Sequence, residues 1–254
     1  MSLAVVLVEP AGPLNVGSVA RLCANFEIEQ LRLVAPRCDH RGPEARQMAV
    51  HGEALLEQAR LYPDLAAAIA DCQRVVATSG RIETESLPLS DPGPALRWLC
   101  QHNTNPAGRN NPMAALVFGR EDRGLSNAEL LQAGRVVRLA TSEAYASLNL
   151  SHAVAICLHE LQACRTQPLP VPAVSPAPIT SSDDDLCSRG ALEAALADAE
   201  ALLLEVGFLY PHTATARMAK LRALLQRAQV QEPEVALLRG MVRQLRWAAR
   251  RETP

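Results

Sequence analysis

Five short apolar runs punctuate the first two-thirds of the chain: Leu3–Glu9, Leu31–Val34, Val75–Thr78, Ala114–Phe118 and Val136–Leu139. Each has the length of a strand. Between them, helical patterns fall near Asn15–Phe26, Glu53–Arg60, Leu65–Ala70, Ala95–Gln101 and Ser126–Leu131. Strands alternating with helices predict an α/β fold, a parallel sheet with helices on both faces. One more helix is expected near Asn149–Cys164, where Val154, Cys157, Leu158 and Leu161 form an apolar stripe at helical spacing.

The pattern then breaks. Thr166–Asp185, TQPLPVPAVSPAPITSSDDD, is rich in proline and ends in serine and aspartate. Such a segment reads as an extended linker rather than part of a packed core. Beyond it, Leu186–Arg251 is helical throughout, with helices starting near Ala191, Thr213 and Glu232, the last with Pro233 in its first turn. The chain therefore divides into an α/β unit (1–165), a linker (166–187) and a small helical C-terminal extension (188–254).

Charge sharpens this division. The net charge is −2, yet Arg217–Arg251 holds nine Lys/Arg against Glu232 and Glu234, so this segment carries +7 and the remainder −9. Asymmetry of this kind points to a polyanionic partner for the extension. Arg239, Arg243, Arg246 and Arg250 share one face of the last helix, as a phosphate-contacting stripe or a solvated face would. Leu238, Met241, Val242 and Leu245 form its other face. Arg217 and Lys220 add to the basic segment.

Composition excludes several classes. Hydrophobic residues make up 48% and aromatics only 3%, so Ala, Leu and Val fill the core. Seven cysteines, Cys23, Cys38, Cys72, Cys100, Cys157, Cys164 and Cys187, lie far apart, which fits a reducing compartment and neither a disulfide frame nor zinc. His51, His102, His152 and His159 have no ligand-like spacing, and no metal is expected. The N-terminus has neither the basic region nor the small-residue cleavage site of a secretory signal, and no uninterrupted apolar run reaches the ~18 residues of a membrane span. A cytoplasmic protein without a membrane partner is expected.

Four stretches carry candidate chemistry. The first, VVLVEPAGPLNVGSVARLCANF (Val5–Phe26), spaces Gly12 and Gly17 as a phosphate-binding loop does, but Ser18-Val19 stands where that loop needs Lys then Ser/Thr. On a helix from Asn15, Val16, Val19, Cys23 and Phe26 face the sheet. Gly17, Ser18, Arg21 and Asn25 face away, with Asn15 at the N-cap and Gly17 leaving room for a ligand near Arg21. The second, ALVFGREDRGLSNAEL (Ala115–Leu130), runs from a strand through a Gly-bounded turn bearing Glu121 and Asp122 into a capping box of Ser126 and Glu129. The third, EAYASLNLSHAV (Glu143–Val154), sets Ser147 and Asn149 at a helix start, and the fourth, VVATSGR (Val75–Arg81), ends a strand in Thr78, Ser79 and Gly80. Small polar residues and glycines at four strand ends favour a small-ligand pocket lined by backbone, where open α/β sheets bind ligands. A surface loop is expected over His102–Pro112.

Taken in order, NVGSVAR, LVFGREDRGLSNAEL and YASLNLS resemble the three motifs of the SpoU/TrmH branch of the SPOUT methyltransferases, over about residues 1–164. The tail GFLYPHTATARMAKLRALLQRAQVQEPEVALLRGMV resembles the C-terminal extension of the TrmJ-type subgroup, tRNA ribose 2′-O-methyltransferases acting at nucleotide 32 of the anticodon loop. The resemblance implies a deep C-terminal trefoil knot, S-adenosylmethionine bound within it, and a homodimer with its sites near the subunit interface. By motif match it puts cofactor contacts on Thr78, Ser79, Gly80, Gly119, Leu139, Ala146, Ser147 and Leu148. The family's catalytic positions fall on Asn15, Arg21, Glu121, Ser147 and Asn149. Arg21 is expected to grip a phosphate or stabilise a developing alkoxide, since a guanidinium with a pKa above ~12 is not a proton acceptor. Glu121 is expected to hold Arg21. The alternatives are a methyltransferase of the same fold acting on ribosomal RNA or another tRNA position, and an RNA-binding protein without catalysis. A nucleotide hydrolase fails on the missing lysine.

Overall fold

The computed structural model describes residues 2–80, 89–100, 113–142, 147–166 and 186–251. Its centre is a sheet of seven strands, all pairs parallel: β1 (Ser2–Val8), β2 (Gln30–Val34), β3 (Arg60–Tyr62), β4 (Cys72–Thr78), β5 (Leu89–Ser90), β6 (Met113–Phe118) and β7 (Arg135–Val137), in the order β3-β2-β1-β6-β4-β7-β5. The apolar runs fit the middle of such a sheet, because a parallel sheet covered on both faces buries every residue of its central strands. In β1, Leu3, Val5 and Leu7 pack on one side, Ala4, Val6 and Val8 on the other.

Around the sheet lie α1 (Pro13–Asn25), α2 (Pro43–Ala49), α3 (Glu53–Glu57), α4 (Leu65–Ile69), α5 (Pro92–Cys100), α6 (Asn127–Leu130) and α7 (Leu150–Thr166). The α/β architecture agrees with the sequence reading; several details do not. β3, β5 and α2 were not expected. The helix expected over Glu53–Arg60 ends at Glu57, since Arg60 enters β3, and the strand expected over Val136–Leu139 ends at Val137. α1 starts at Pro13, with Gly12 and not Asn15 at the N-cap and no side chain capping it. Proline suits the first helical position, where its fixed φ matches and its missing N–H costs nothing, so it draws the start two residues earlier.

Gly17 also departs from expectation. A Cβ there would lie 2.1 Å from the Ala45 carbonyl oxygen. The missing side chain lets α2 pack directly on α1 and opens no room for a ligand.

The C-terminal segment forms α8 (Arg189–Glu205), α9 (Pro211–Ala228) and α10 (Glu232–Arg251), close to the predicted starts. Leu192, Leu196, Leu209, Met218, Val230 and Val235 make its own core. It docks on the sheet unit through Gly190 N–H to the Ala70 carbonyl (2.9 Å) and Gln226 Nε2 to the Leu131 carbonyl (2.7 Å). The predicted linker beyond Thr166, the loop 102–112 with His102, and Ala146 lie outside the described residues. Among the described residues no helix is long and apolar enough to cross a membrane.

Candidate active site

The C-terminal ends of β4, β6 and β7 open into one cavity of about 320 Å³. Thr78, Ser79 and Gly80 line it from β4, Gly119 to Leu125 from the turn after β6, Leu139 from beyond β7, and Ser147, Leu148, Leu150 and Ala153 from the start of α7. The structure thus gathers Thr78, Ser79, Gly80, Gly119, Leu139, Ser147 and Leu148 around one space, and adds Phe118 and Leu125 as apolar wall.

Local chemistry fixes each rim. Thr78 Oγ1 donates to the Val117 carbonyl (3.3 Å) and Ser79 N–H to the Val137 carbonyl (2.9 Å), tying the end of β4 to both neighbouring strands. A Cβ on Gly119 would lie 2.3 Å from the backbone of Gly124, whose φ of +67° closes the turn back on β6. The predicted capping box is present, with Glu129 N–H donating to Ser126 Oγ at 3.2 Å and Ser126 N–H to Glu129 Oε2 at 2.7 Å.

Arg120, which the sequence reading passed over, braces this turn. Its guanidinium forks onto Glu129 (2.9 and 3.0 Å), donates to the Gly124 carbonyl (3.3 Å), and pairs with Glu9 at the end of β1. The Arg120 hydrogen bond, aided by Arg37, holds the Glu9 carboxyl down at about 2 despite partial desolvation. Glu9 has a φ of +45°, a region non-glycine residues seldom occupy. An acid at a strand end and an arginine inside GREDRG were visible in the sequence; their pairing across the sheet was not.

The carboxylate of Glu121 accepts from the N–H groups of Ala11 and Gly12 (3.1 Å each) and from Asn15 Nδ2 (3.2 Å). It therefore supplies from another loop the acceptor that Gly12 lacks, beside the positive end of α1. Burial pushes this carboxyl up, but the backbone and Asn15 donors outweigh it and hold it below the usual carboxylate range. Asn15 Oδ1 in turn accepts from Asn149 Nδ2 at 3.0 Å. Asn149 Oδ1 accepts from Ser151 N–H and Oγ and from His152 N–H, capping α7.

Three of the predicted catalytic residues, Glu121, Asn15 and Asn149, thus form one hydrogen-bonded chain, and Ser147 borders the cavity. Arg21 stands apart. It is exposed on α1, does not line the cavity, and makes no hydrogen bond or ion pair among the described residues. The expected grip of Glu121 on Arg21 is absent among the described residues; that carboxylate instead accepts from Ala11, Gly12 and Asn15.

The basic stripe of α10 is also partly spoken for. Arg239 pairs with Asp198, Arg246 with Glu205 and the Asp198 carbonyl, and Arg250 with Glu205, so three of its four arginines hold α10 to α8. Arg243 has no such partner. On the other predicted face, Met241 and Leu245 are exposed. Arg217 is exposed and donates to the Phe208 carbonyl at 3.2 Å; Lys220 is exposed.

Comparison with known proteins agrees with this geometry. Residues 2–159 match the model of the SpoU rRNA Methylase family, and residues 190–254 that of the tRNA methyltransferase TrmJ C-terminal domain. The chain is 34% identical over 247 residues to the tRNA (cytidine/uridine-2′-O-)-methyltransferase TrmJ of Klebsiella pneumoniae, covering 95% of each chain. It is 31% identical over 248 residues to the tRNA (cytidine/uridine/adenosine-2′-O-)-methyltransferase TrmJ of Pseudomonas aeruginosa, covering 97% of this chain and 94% of that one. Among solved structures, TrmJ from Z. mobilis superposes with a TM-score of 0.78 at 27% identity, covering 96% of this chain and 99% of its own.

Proposed function

Because the chain belongs to the SpoU rRNA methylase family, we propose that it is a tRNA ribose 2′-O-methyltransferase that uses S-adenosylmethionine and modifies nucleotide 32 of the anticodon loop. The observation that carries this reading is the meeting, at Glu121, of a backbone-rimmed cavity and the Glu121–Asn15–Asn149 chain. Full-length similarity to enzymes named as tRNA 2′-O-methyltransferases supports the substrate class.

The cavity fits the methyl donor. Phe118, Leu125, Leu139, Leu148 and Leu150 offer an apolar wall for an adenine, while Thr78, Ser79 and Glu121 offer polar groups for a ribose and an amino-acid moiety. A Cβ on Gly80 meets nothing within 4 Å among the described residues, so this glycine leaves space open at the rim. In this reading Thr78, Ser79, Gly80, Gly119, Leu139, Ser147 and Leu148 hold the cofactor, with Ala146 beside them. Once bound, it supplies an electrophilic sulfonium methyl.

The chain's own part is positioning, which accounts for much of the rate gain when two reactants must align. Glu121 is committed to three donors, so it fixes Asn15 and the entry to α1 rather than abstracting a proton. Asn149 completes the brace from α7. Arg21, always protonated, grips an RNA phosphate or stabilises the alkoxide that develops at O2′. Its absence from the lining of its own cavity supports a homodimer in which it serves the partner's site. The same reading carries the trefoil knot, a cytoplasmic location, and RNA contacts at Arg217, Lys220 and Arg243.

The test is methyl transfer from labelled S-adenosylmethionine to unmodified tRNA, with ribose methylation mapped by nucleotide. Label confined to position 32 is expected. Label elsewhere in tRNA overturns the position; label in ribosomal RNA alone overturns the substrate.

A further inference from the structure

Where the C-terminal helices meet the sheet, guanidinium groups converge on one indole. The Arg135 guanidinium lies 4.7 Å from the centre of the Trp98 ring, and that of Arg74 lies 5.6 Å from it. Arg189 Nη2 and the Trp98 ring edge sit 2.5 and 2.9 Å from where a Gly134 Cβ would stand, so both crowd against that glycine. A cavity of about 190 Å³ opens here, lined by Trp98, Gly134, Arg135, Gln226 and Arg227. Arg189 borders a small recess that shares Trp98 and Gln226 with it.

Among the described residues no carboxylate bonds to Arg135, Arg189 or Arg227. Glu193, which Arg189 senses, is forked onto Arg222 at 2.8 Å by both oxygens. Arg189 is only 8% exposed, and among the described residues neither its Nε nor Trp98 Nε1 has an acceptor. Gln226 gives one amide N–H to the Leu131 carbonyl, and its Oε1 accepts from no donor among the described residues. A buried guanidinium without a counter-charge is strongly unfavourable, and a seam with unmatched donors is completed by a group that is anionic and rich in acceptors. Phosphate is such a group, and arginine matches it with parallel N–H donors.

We propose that the seam between β7, α5 and the C-terminal helices is a phosphate-binding site, built by Arg135, Arg189, Arg227 and Trp98, and that the RNA backbone is its source of phosphate. The source rests on the tRNA reading above; the chemistry of the site does not. A bound phosphodiester here bridges the sheet unit and the extension, coupling RNA binding to the docking of the helices.

The experiment uses the full chain with Arg135→Gln, Arg227→Gln and the double variant. Arg60→Gln, at the opposite edge of the sheet, is the charge-matched control. Each seam variant is expected to weaken tRNA binding roughly fivefold at 0.15 M salt and to lower the slope of log affinity against log salt by about one. Arg60→Gln should change neither, and S-adenosylmethionine affinity should stay parental throughout. A second arm titrates inorganic phosphate and follows thermal unfolding: stabilisation of the parent that the double variant loses supports the site. If that stabilisation is lost while tRNA binding is untouched, free phosphate replaces RNA as the source, and the RNA assignment falls. If the parent binds no tRNA, the functional reading fails and the phosphate arm alone judges the site. Parental behaviour of the double variant in both arms overturns the proposal.

Discussion

Asn149 donates its side-chain amide to the side-chain oxygen of Asn15 at 3.0 Å, across 134 residues of sequence. One side chain thereby does two jobs, since its own oxygen caps α7. Asn15 passes the link on to Glu121, so one chain of hydrogen bonds ties the entries to α1 and α7 to the turn after β6.

Asn149→Asp keeps the capping oxygen and removes the donor. Unfolding stability should stay near parental while single-turnover methyl transfer falls. Asn149→Ala loses the cap as well and should cost a further ~1 kcal/mol of stability. In a double-mutant cycle with Asn15→Ala, the transfer rates should show a coupling of about 1 kcal/mol, as contacting residues do. Additive effects would remove the chain from the site.

Gly17→Ala tests packing against propensity. In an open helix interior, alanine outranks glycine by about 1 kcal/mol. At Gly17 the added Cβ meets the Ala45 carbonyl at 2.1 Å, so α1 and α2 must part, at about 1–3 kcal/mol. At Gly240, in α10, the same Cβ meets nothing within 4 Å. Urea unfolding should therefore show Gly17→Ala destabilised and Gly240→Ala stabilised; the same sign for both would mean that the close approach is not what selects Gly17.

How far the sequence foretold this arrangement depended on the range of each interaction. The long apolar strands β1 and β6 stood out because burial on both faces demands unbroken hydrophobic runs. β5 has two residues, and β3 has two of its three exposed, so neither carries a pattern to find. Pro13 was in plain view, yet Asn15 looked the better cap because side-chain capping is the usual solution; a carboxylate from residue 121 supplied it instead. The strand ends that gather round the cavity were legible as glycines and small polar residues. That Arg21 does not line the cavity was not, because its helix phase says nothing of where the cavity opens.

The pairing of Glu9 predicts acid sensitivity. Its carboxyl is lowered from 4.5 to about 2, first by the Arg120 hydrogen bond and then by its charge and that of Arg37. A depressed acid contributes stability that is fully present above its unfolded pKa and disappears as pH falls through its folded value. Part of the loss of stability between about pH 4.5 and 2 should therefore belong to Glu9. Glu9→Gln should lower stability at neutral pH and flatten the profile in that window, read by thermal unfolding across pH; an unchanged slope would deny the pairing any role.

Gly80→Val separates the cavity from the fold. Among the described residues nothing lies near the new Cβ, and Gly80 is at the rim of the cavity. Calorimetric titration should show S-adenosylmethionine affinity falling tenfold or more, with the unfolding midpoint within a few degrees of the parent's. Parental affinity would place the methyl donor elsewhere.

Arg21 decides between acting within one subunit and acting across two. Exposed and unpaired, it can be replaced without loss of fold, so Arg21→Ala should keep parental stability and cofactor affinity and lose methyl transfer. Gly80→Val has the complementary defect. If Arg21 serves the partner's cavity, a mixed dimer holds one site with both lesions and one with neither. Selection through both tags leaves mixed dimers alone, each with one intact site of two, so activity should return to about half of parental in a symmetric dimer. If Arg21 serves its own cavity, each site of the mixed dimer carries one lesion, and with S-adenosylmethionine held near the parental Kd activity stays at the low level of the two variants alone. Co-refolded subunits carrying different tags, purified through both and assayed on tRNA, distinguish the two, because the arrangement alone and not the amount of either lesion differs between them.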